Sequence, residues 1–114
     1  MSDCLFCKMA NGEITPDIVY ETDSILAFRD INPRAPTHVL VIPKKHIPTL
    51  ADMAEEDTLL IGEIVQAAKK VAEMEGLADS GYRTVFNCKQ DAGQEVYHIH
   101  LHLLGGRAMQ WPPG

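Results

Sequence analysis

Apolar and polar positions alternate in several short runs along the chain and switch to a helical spacing only once. "DIVYE" and "ILAFR", split by Thr22-Asp23-Ser24, predict a β-hairpin. "HVLVIP", from His38, predicts a strand closed by Pro43, which has no N–H to donate. From about Glu55 to Glu75 the spacing changes. Leu60, Ile64, Ala67, Ala68 and Val71 fall on one helical face, with Glu63, Lys70 and Glu73 off it, and Gly76 can end the helix. "YRTVFN" predicts the next strand, "CKQDAGQE" a polar loop and "VYHIHLHLL" the last strand. Near the N-terminus, "CLFCKMAN" followed by Gly12 predicts a short helix with a glycine stop. "DINPRAPT" is a loop punctuated by Pro33 and Pro36, and the tail "GGRAMQWPPG" has no regular structure. Strands at both ends around one long helix predict an α+β fold: a mainly antiparallel five-stranded sheet with the helix packed on one face.

Length sharpens this picture. With 114 residues, no repeats and no linker, the expectation is a single domain, 1–114, with one core. No apolar run approaches a membrane span, and "MSDCLFCKMANGEI" lacks the charged and apolar regions of a signal peptide, so a cytoplasmic protein with no membrane partner is expected. The net charge is -6 and no basic cluster is longer than Lys44-Lys45. Nucleic acid is therefore not an expected partner, because neutralising many phosphates needs a basic stripe. A small anion held by backbone N–H groups stays open. Cys4, Cys7 and Cys88 are an odd number of cysteines, which argues against a disulfide framework.

The chemistry concentrates in "YHIHLHLLGG". Three of the five histidines, His98, His100 and His102, alternate along a predicted strand. Alternate residues share a face at a spacing of roughly 7 Å, with Ile99, Leu101 and Leu103 on the other face under the long helix. Three readings follow: an ordinary solvated strand face, a metal centre of imidazoles, or a phosphoryl-transfer site. The third uses what imidazole does well. A neutral ring is a nucleophile toward phosphorus when its other nitrogen is held as a donor, and a second ring can pass a proton to the leaving group. "QDAGQEVYH", with Gly93 ahead of the histidines, could offer backbone N–H groups to a phosphate. Cys4-x-x-Cys7 is open too. It could be a helix turn with two half-buried thiols or a redox pair, though no βαβ pattern surrounds it.

"HIHLHLL" resembles the signature of the histidine triad (HIT) superfamily. "FRDINPRAPTHVLVIPKKHI", "NCKQDAGQEVYHIHLHLLGGR" and "WPPG" together resemble its Hint branch, over nearly the whole chain. The resemblance implies a homodimer whose two halves share one continuous antiparallel sheet. It implies hydrolysis of purine nucleoside phosphoramidates and aminoacyl-adenylates to the nucleoside monophosphate, through an adenylyl-histidine. By position it makes His100 the nucleophile, His102 the imidazole beside the phosphate and leaving group, and His38 the supporting histidine on the adjacent strand. Asp30 would bind ribose, while Phe28 and Ile31 would wall the base. Asn87, Gly93, Gln94, Glu95 and Val96 would contact the phosphate side. Some Hint proteins carry a serine at the position of Glu95, where a carboxylate sits awkwardly beside a phosphate. Some superfamily members hold zinc on residues matching Cys4, Cys7, His46 and His98, a closed Cys2His2 set that implies a structural ion. Two further functions stay in view: a nucleotide-binding, zinc-stapled interaction module whose catalysis is incidental, and a dinucleoside polyphosphate hydrolase.

Overall fold

The computed structural model describes residues 3–114, so the first two residues of the expected 1–114 domain lie outside it. Its main elements are α1 (Leu5–Ala10), β1 (Ile18–Glu21), β2 (Ile25–Arg29), β3 (Thr37–Pro43), α2 (Thr58–Met74), β4 (Tyr82–Phe86) and β5 (Leu101–Gly105). The five strands form one antiparallel sheet in the order β1-β2-β3-β5-β4. The expected α+β fold, with one long helix, a short N-terminal helix and a five-stranded sheet, is what the chain adopts.

The period-two pattern divides the sheet into two buried faces. Ile25, Ala27, Val39, Val41, Leu101 and Leu103 pack under α2 against Ile64, Ala67, Ala68, Val71 and Ala72. The alanines bring the helix close to the sheet, and Ile64 and Val71 are fully buried. Each such side chain contributes on the order of 2 kcal/mol. The opposite face is also covered: Leu26, Phe28, Leu40 and Ile42 pack against Phe6 of α1. Two buried faces explain why β2 and β3 read as near-continuous apolar runs. Gly105 is required by close approach, since a Cβ there would lie 2.6 Å from Leu77 Cδ1.

Two boundaries differ from the pattern by more than one residue, while Thr37 and Gly105, read as loop and tail, extend β3 and β5 by one residue each. The helix itself starts at Thr58, after a separate 3-10 turn at Glu55–Asp57. The last strand is shorter than "VYHIHLHLL", because only Leu101–Gly105 pairs. Val41 faces Leu101 in the β3–β5 ladder, so two places further the register would set Ile99 opposite Pro43. Proline has no N–H, and the ladder stops. The Ile99 N–H turns instead to the Ile47 carbonyl at 2.7 Å. His98 and His100 therefore precede the strand and His102 lies within it.

Candidate active site

A cleft of about 630 Å3 opens on the α1 side of the sheet. Its floor comes from β2, β3 and β5 through Phe28, His38, Leu40 and His102. The turn after β2 supplies Asp30 and Ile31, and the loop before β5 supplies Asn87, Gly93, Glu95, Val96 and His100. Every residue expected to carry chemistry or bind nucleotide, except Gln94, thus lines one cavity. Ile31 is 92% exposed and stands at the rim of the cleft.

Leu5, Phe6 and Met9 of α1 also line the cleft and have no place in the sequence reading of the site. Their helical spacing was visible as an apolar stripe, but only the tertiary structure sets that stripe against the histidines.

The hydrogen bonds fix which imidazole nitrogens carry protons. His100 Nδ1 lies 2.8 Å from the His98 carbonyl oxygen, which can only accept. In the neutral ring Nδ1 therefore holds the hydrogen and Nε2 keeps its lone pair. His38 is arranged the other way round: the Arg34 backbone N–H donates to its Nδ1 at 3.0 Å, so His38 carries its proton on Nε2. That Nε2–H points at His102 Nδ1, 2.9 Å away, and lies 3.4 Å from an Asp30 carboxylate oxygen. His102 Nδ1 thus accepts, and its own proton sits on Nε2. The resemblance sets His38 behind the nucleophile, but its hydrogen bond here goes to His102. Diagonal pairing explains this, since His102 faces Leu40 and His38 faces Leu104 on the same face of the β3–β5 ladder.

All three rings favour the neutral form. Burial, chiefly, lowers the pKa of His100 and of His38, against the opposing pull of Asp30 on each. His102 is pushed down to about 4 by burial first and then by the neighbouring His100 and His38 rings. An unfolded chain binds a proton at this group near 6.5, the folded chain only near 4. Its contribution to stability is therefore complete above about pH 6.5, declines as the pH falls toward 4 and is level below that. The amount is on the order of 3 kcal/mol. Melting temperatures between pH 7 and pH 4 should accordingly fall less steeply in His102→Asn than in the parent. Parallel curves would assign His102 an ordinary pKa.

The loop before β5 is built around Gln94. Its buried side chain accepts the Lys89 N–H at 2.8 Å and donates to the carbonyls of Pro48 and Val96 at 2.8 and 3.1 Å. Its own N–H bonds the Lys89 carbonyl, and the Gly93 N–H bonds that of Gln90. Gln94 is thus a brace behind the cleft, and the Gly93 donor is already used within the loop. Gly93 itself sits at φ 79°, where glycine is favoured. Lys89 at φ 69° is a non-glycine residue in the left-handed region, held there by its two bonds to Gln94. Glu95 is exposed, lines the cleft and acts on His100 through its charge.

A second cluster lies behind α1. Cys4, Cys7, His46 and His98 bring one donor atom each to within 4.8 Å of one another. The fully buried His98 uses Nε2–H to donate to the Pro43 carbonyl at 2.7 Å, so its Nδ1 lone pair faces the cluster. His98 Nδ1 lies 3.2 Å from His46 Nδ1, 3.4 Å from Cys4 Sγ and 3.5 Å from Cys7 Sγ. Cys7 Sγ lies 3.2 Å from His46 Nδ1. A tetrahedron with metal bonds of zinc length has N···N edges of about 3.3 Å and N···S edges of about 3.6 Å. The four residues fit a closed, four-coordinate metal centre.

Asp30, His38 and His102 also converge within 4.8 Å. Their chemistry is different, because the Arg34 N–H occupies His38 Nδ1 and leaves a proton, not a lone pair, on the nitrogen that faces the group. This set is a hydrogen-bonded chain that fixes the His102 tautomer.

The chain resembles known proteins along most of its length. A family model described as HIT domain matches residues 11–109. The purine nucleoside phosphoramidase of Escherichia coli (strain K12) is 50% identical over 107 residues, covering 94% of this chain and 90% of that protein. A crystal structure of a HIT family hydrolase from Legionella pneumophila Philadelphia 1 superposes with a TM-score of 0.96 at 61% identity, covering 98% of this chain and 100% of the other. A histidine triad protein from Clostridium difficile superposes with a TM-score of 0.93 at 44% identity, covering 96% of each chain.

Proposed function

The chain belongs to the HIT domain family, and from that premise we propose that it is a hydrolase of purine nucleoside phosphoramidates and aminoacyl-adenylates that releases the nucleoside monophosphate. The observation that carries the reading is the fixed tautomer of His100. Its Nδ1–H is tied to the His98 carbonyl, leaving Nε2 as a free lone pair in a cleft shared with a second imidazole.

In this mechanism His100 Nε2 attacks the α-phosphorus of a phosphoramidate. The new N–P bond forms as the bond to the leaving amine breaks, and the amine takes up a proton at that step. A bound phosphate raises the proton affinity of the low-pKa His102, because an adjacent anion favours imidazolium. That imidazolium supplies the proton from Nε2–H and is left as the neutral ring. His38 and Asp30, 2.9 Å from His102 and 3.4 Å from His38, hold that ring in place. Water then attacks phosphorus, the N–P bond to His100 breaks, and the water's proton returns to His102. Asp30 would also bind ribose, Phe28 and Ile31 the base, and Asn87, Glu95 and Val96 the phosphate side. Gln94 and Gly93 act by shaping the loop.

The same reading assigns a structural zinc to Cys4, Cys7, His46 and His98. Four protein ligands leave no open position, so the ion staples the N-terminal segment and stays outside the reaction. It also makes residues 1–114 one HIT domain and the protein a cytoplasmic homodimer. Among the described residues no helix is long and apolar enough to cross a membrane. Trp111 in the tail is exposed, and in a homodimer a second copy would cover it.

Turnover on a panel of adenosine phosphoramidates, aminoacyl-adenylates and diadenosine polyphosphates tests the reaction. Preferred release of AMP from the first two supports it. Preferred cleavage of the polyphosphates would make the protein a dinucleoside polyphosphate hydrolase, and AMP binding without turnover would make it a binding module. Deleting Met109–Gly114 should change the ratios of kcat/KM among amine leaving groups more than it changes AMP affinity. Unchanged ratios would show the tail to be a frayed terminus.

A further inference from the structure

Phe6 touches both clusters. Its buried ring meets His98 edge-on at a centroid distance of 5.9 Å, His100 at 5.2 Å and Phe28 at 5.4 Å. His98 is a donor of the cysteine-histidine cluster, while His100 and Phe28 line the cleft. The helix that carries Phe6 joins the same two places. Cys4 is its N-cap and accepts the Cys7 N–H, and both thiols face the cluster. Leu5, Phe6 and Met9 from the same six residues line the cleft. A helix this short has no stability of its own, because nucleation is unfavourable and few hydrogen bonds follow it. Its placement depends on what its side chains grip.

We infer that metal binding at Cys4, Cys7, His46 and His98 and nucleotide binding in the cleft are coupled through α1 and Phe6, so that each strengthens the other. The inference rests on the nucleotide reading above and adds a control of that same site. Without the ion, the segment is held by Phe6 and a few partly buried contacts, a setting in which local opening is easy. Each opening removes one wall of the cleft. The apparent nucleotide affinity then falls by the fraction of molecules that keep the wall in place. Wall and ion trade places in the same cycle: a nucleotide that holds α1 down also holds Cys4 and Cys7 beside His46 and His98. Linkage requires the two effects to be equal.

The test uses the full chain, with AMP and Zn2+ as probes. AMP affinity is measured by calorimetry on zinc-loaded and chelator-stripped protein. Zinc affinity is measured by competition with a chromogenic chelator, with and without saturating AMP. Zinc is expected to tighten AMP by about tenfold, and AMP to tighten zinc by the same factor. The same pair of measurements on Phe6→Leu, which retains all four metal donors, should bring that factor close to one. If stripping unfolds the chain, the zinc competition alone reports the factor in parent and variant. A factor that persists in Phe6→Leu would assign the coupling to global folding and overturn the inference. AMP and zinc that both bind with a factor of one in the parent would overturn it while leaving the nucleotide reading intact. Absence of AMP binding in either metal state would overturn the nucleotide reading, and the coupling with it.

Discussion

His100→Ala should lose at least about 10³ in phosphoramidase turnover, because the substitution removes the covalent route and leaves only positioning and electrostatics. AMP binding should largely survive. Phe28, Asp30 and His102 line the cleft from β2, the turn after it and β5, and α1 keeps its Phe6 contacts with Phe28 and His98 when the His100 ring is removed. The signature is thus a fall in kcat with little change in AMP affinity. A second observable is the intermediate itself. Rapidly quenched parent enzyme should carry an adenylyl group by intact-mass measurement, and His100→Ala should carry none. Near-normal turnover in the variant, or an adenylate that persists in it, would place the nucleophile elsewhere.

The other large effect should come from the cysteines. The double variant Cys4→Ser/Cys7→Ser removes both thiolate donors and leaves His98 Nδ1 facing His46 without a soft ligand between them. Metal binding is coupled to folding at such sites, so the variant should lose its zinc and melt lower. A cost of about 2–4 kcal/mol would lower the melting temperature by about 8–17 °C in a chain of this size. The loss should begin locally: amide exchange should accelerate first in α1 and around His46, and last in β2 and β3, which are buried on both faces. Equal zinc content in variant and parent would show that the ligand set is wrong. Zinc loss with an unchanged melting temperature would show that the ion does not staple the fold. Abolished turnover in a fully folded variant that still binds AMP would make the metal catalytic.

Much of the frame was legible along the chain. A sheet residue reports its face by its parity, and a helical residue by its position in a 3.6-residue repeat. Ile64, Ala67, Ala68 and Val71 therefore announced the inner side of α2, and the run from His38 to Pro43 announced a strand, which the fold buries on both sides. Gly12 and Gly76 marked the helix ends and adopt positive φ there. The alternate histidines also stood out, although only His102 lies in the strand whose parity suggested one shared face.

Parity could not show where pairing stops. That depended on Pro43 arriving opposite Ile99, a long-range register that joins positions far apart in sequence. The early end of β5 frees the backbone around His98, and the His98 carbonyl then receives His100 Nδ1–H. His98 itself turns Nε2–H to Pro43 and Nδ1 to the cysteines. Which imidazole nitrogen carries the proton and which the lone pair is a matter of single hydrogen bonds between distant segments. Gln94 makes the same point: the sequence sets it among the phosphate contacts, and the fold spends its amide on Pro48, Lys89 and Val96. The sequence by itself determined the strands, the long helix, the choice of histidines and the cysteine pair, because these follow from local periodicity and residue chemistry. Only the tertiary structure decided the tautomers, the partner of His38 and the role of Phe6, because each depends on which remote donor, acceptor or ring lies a few ångströms away.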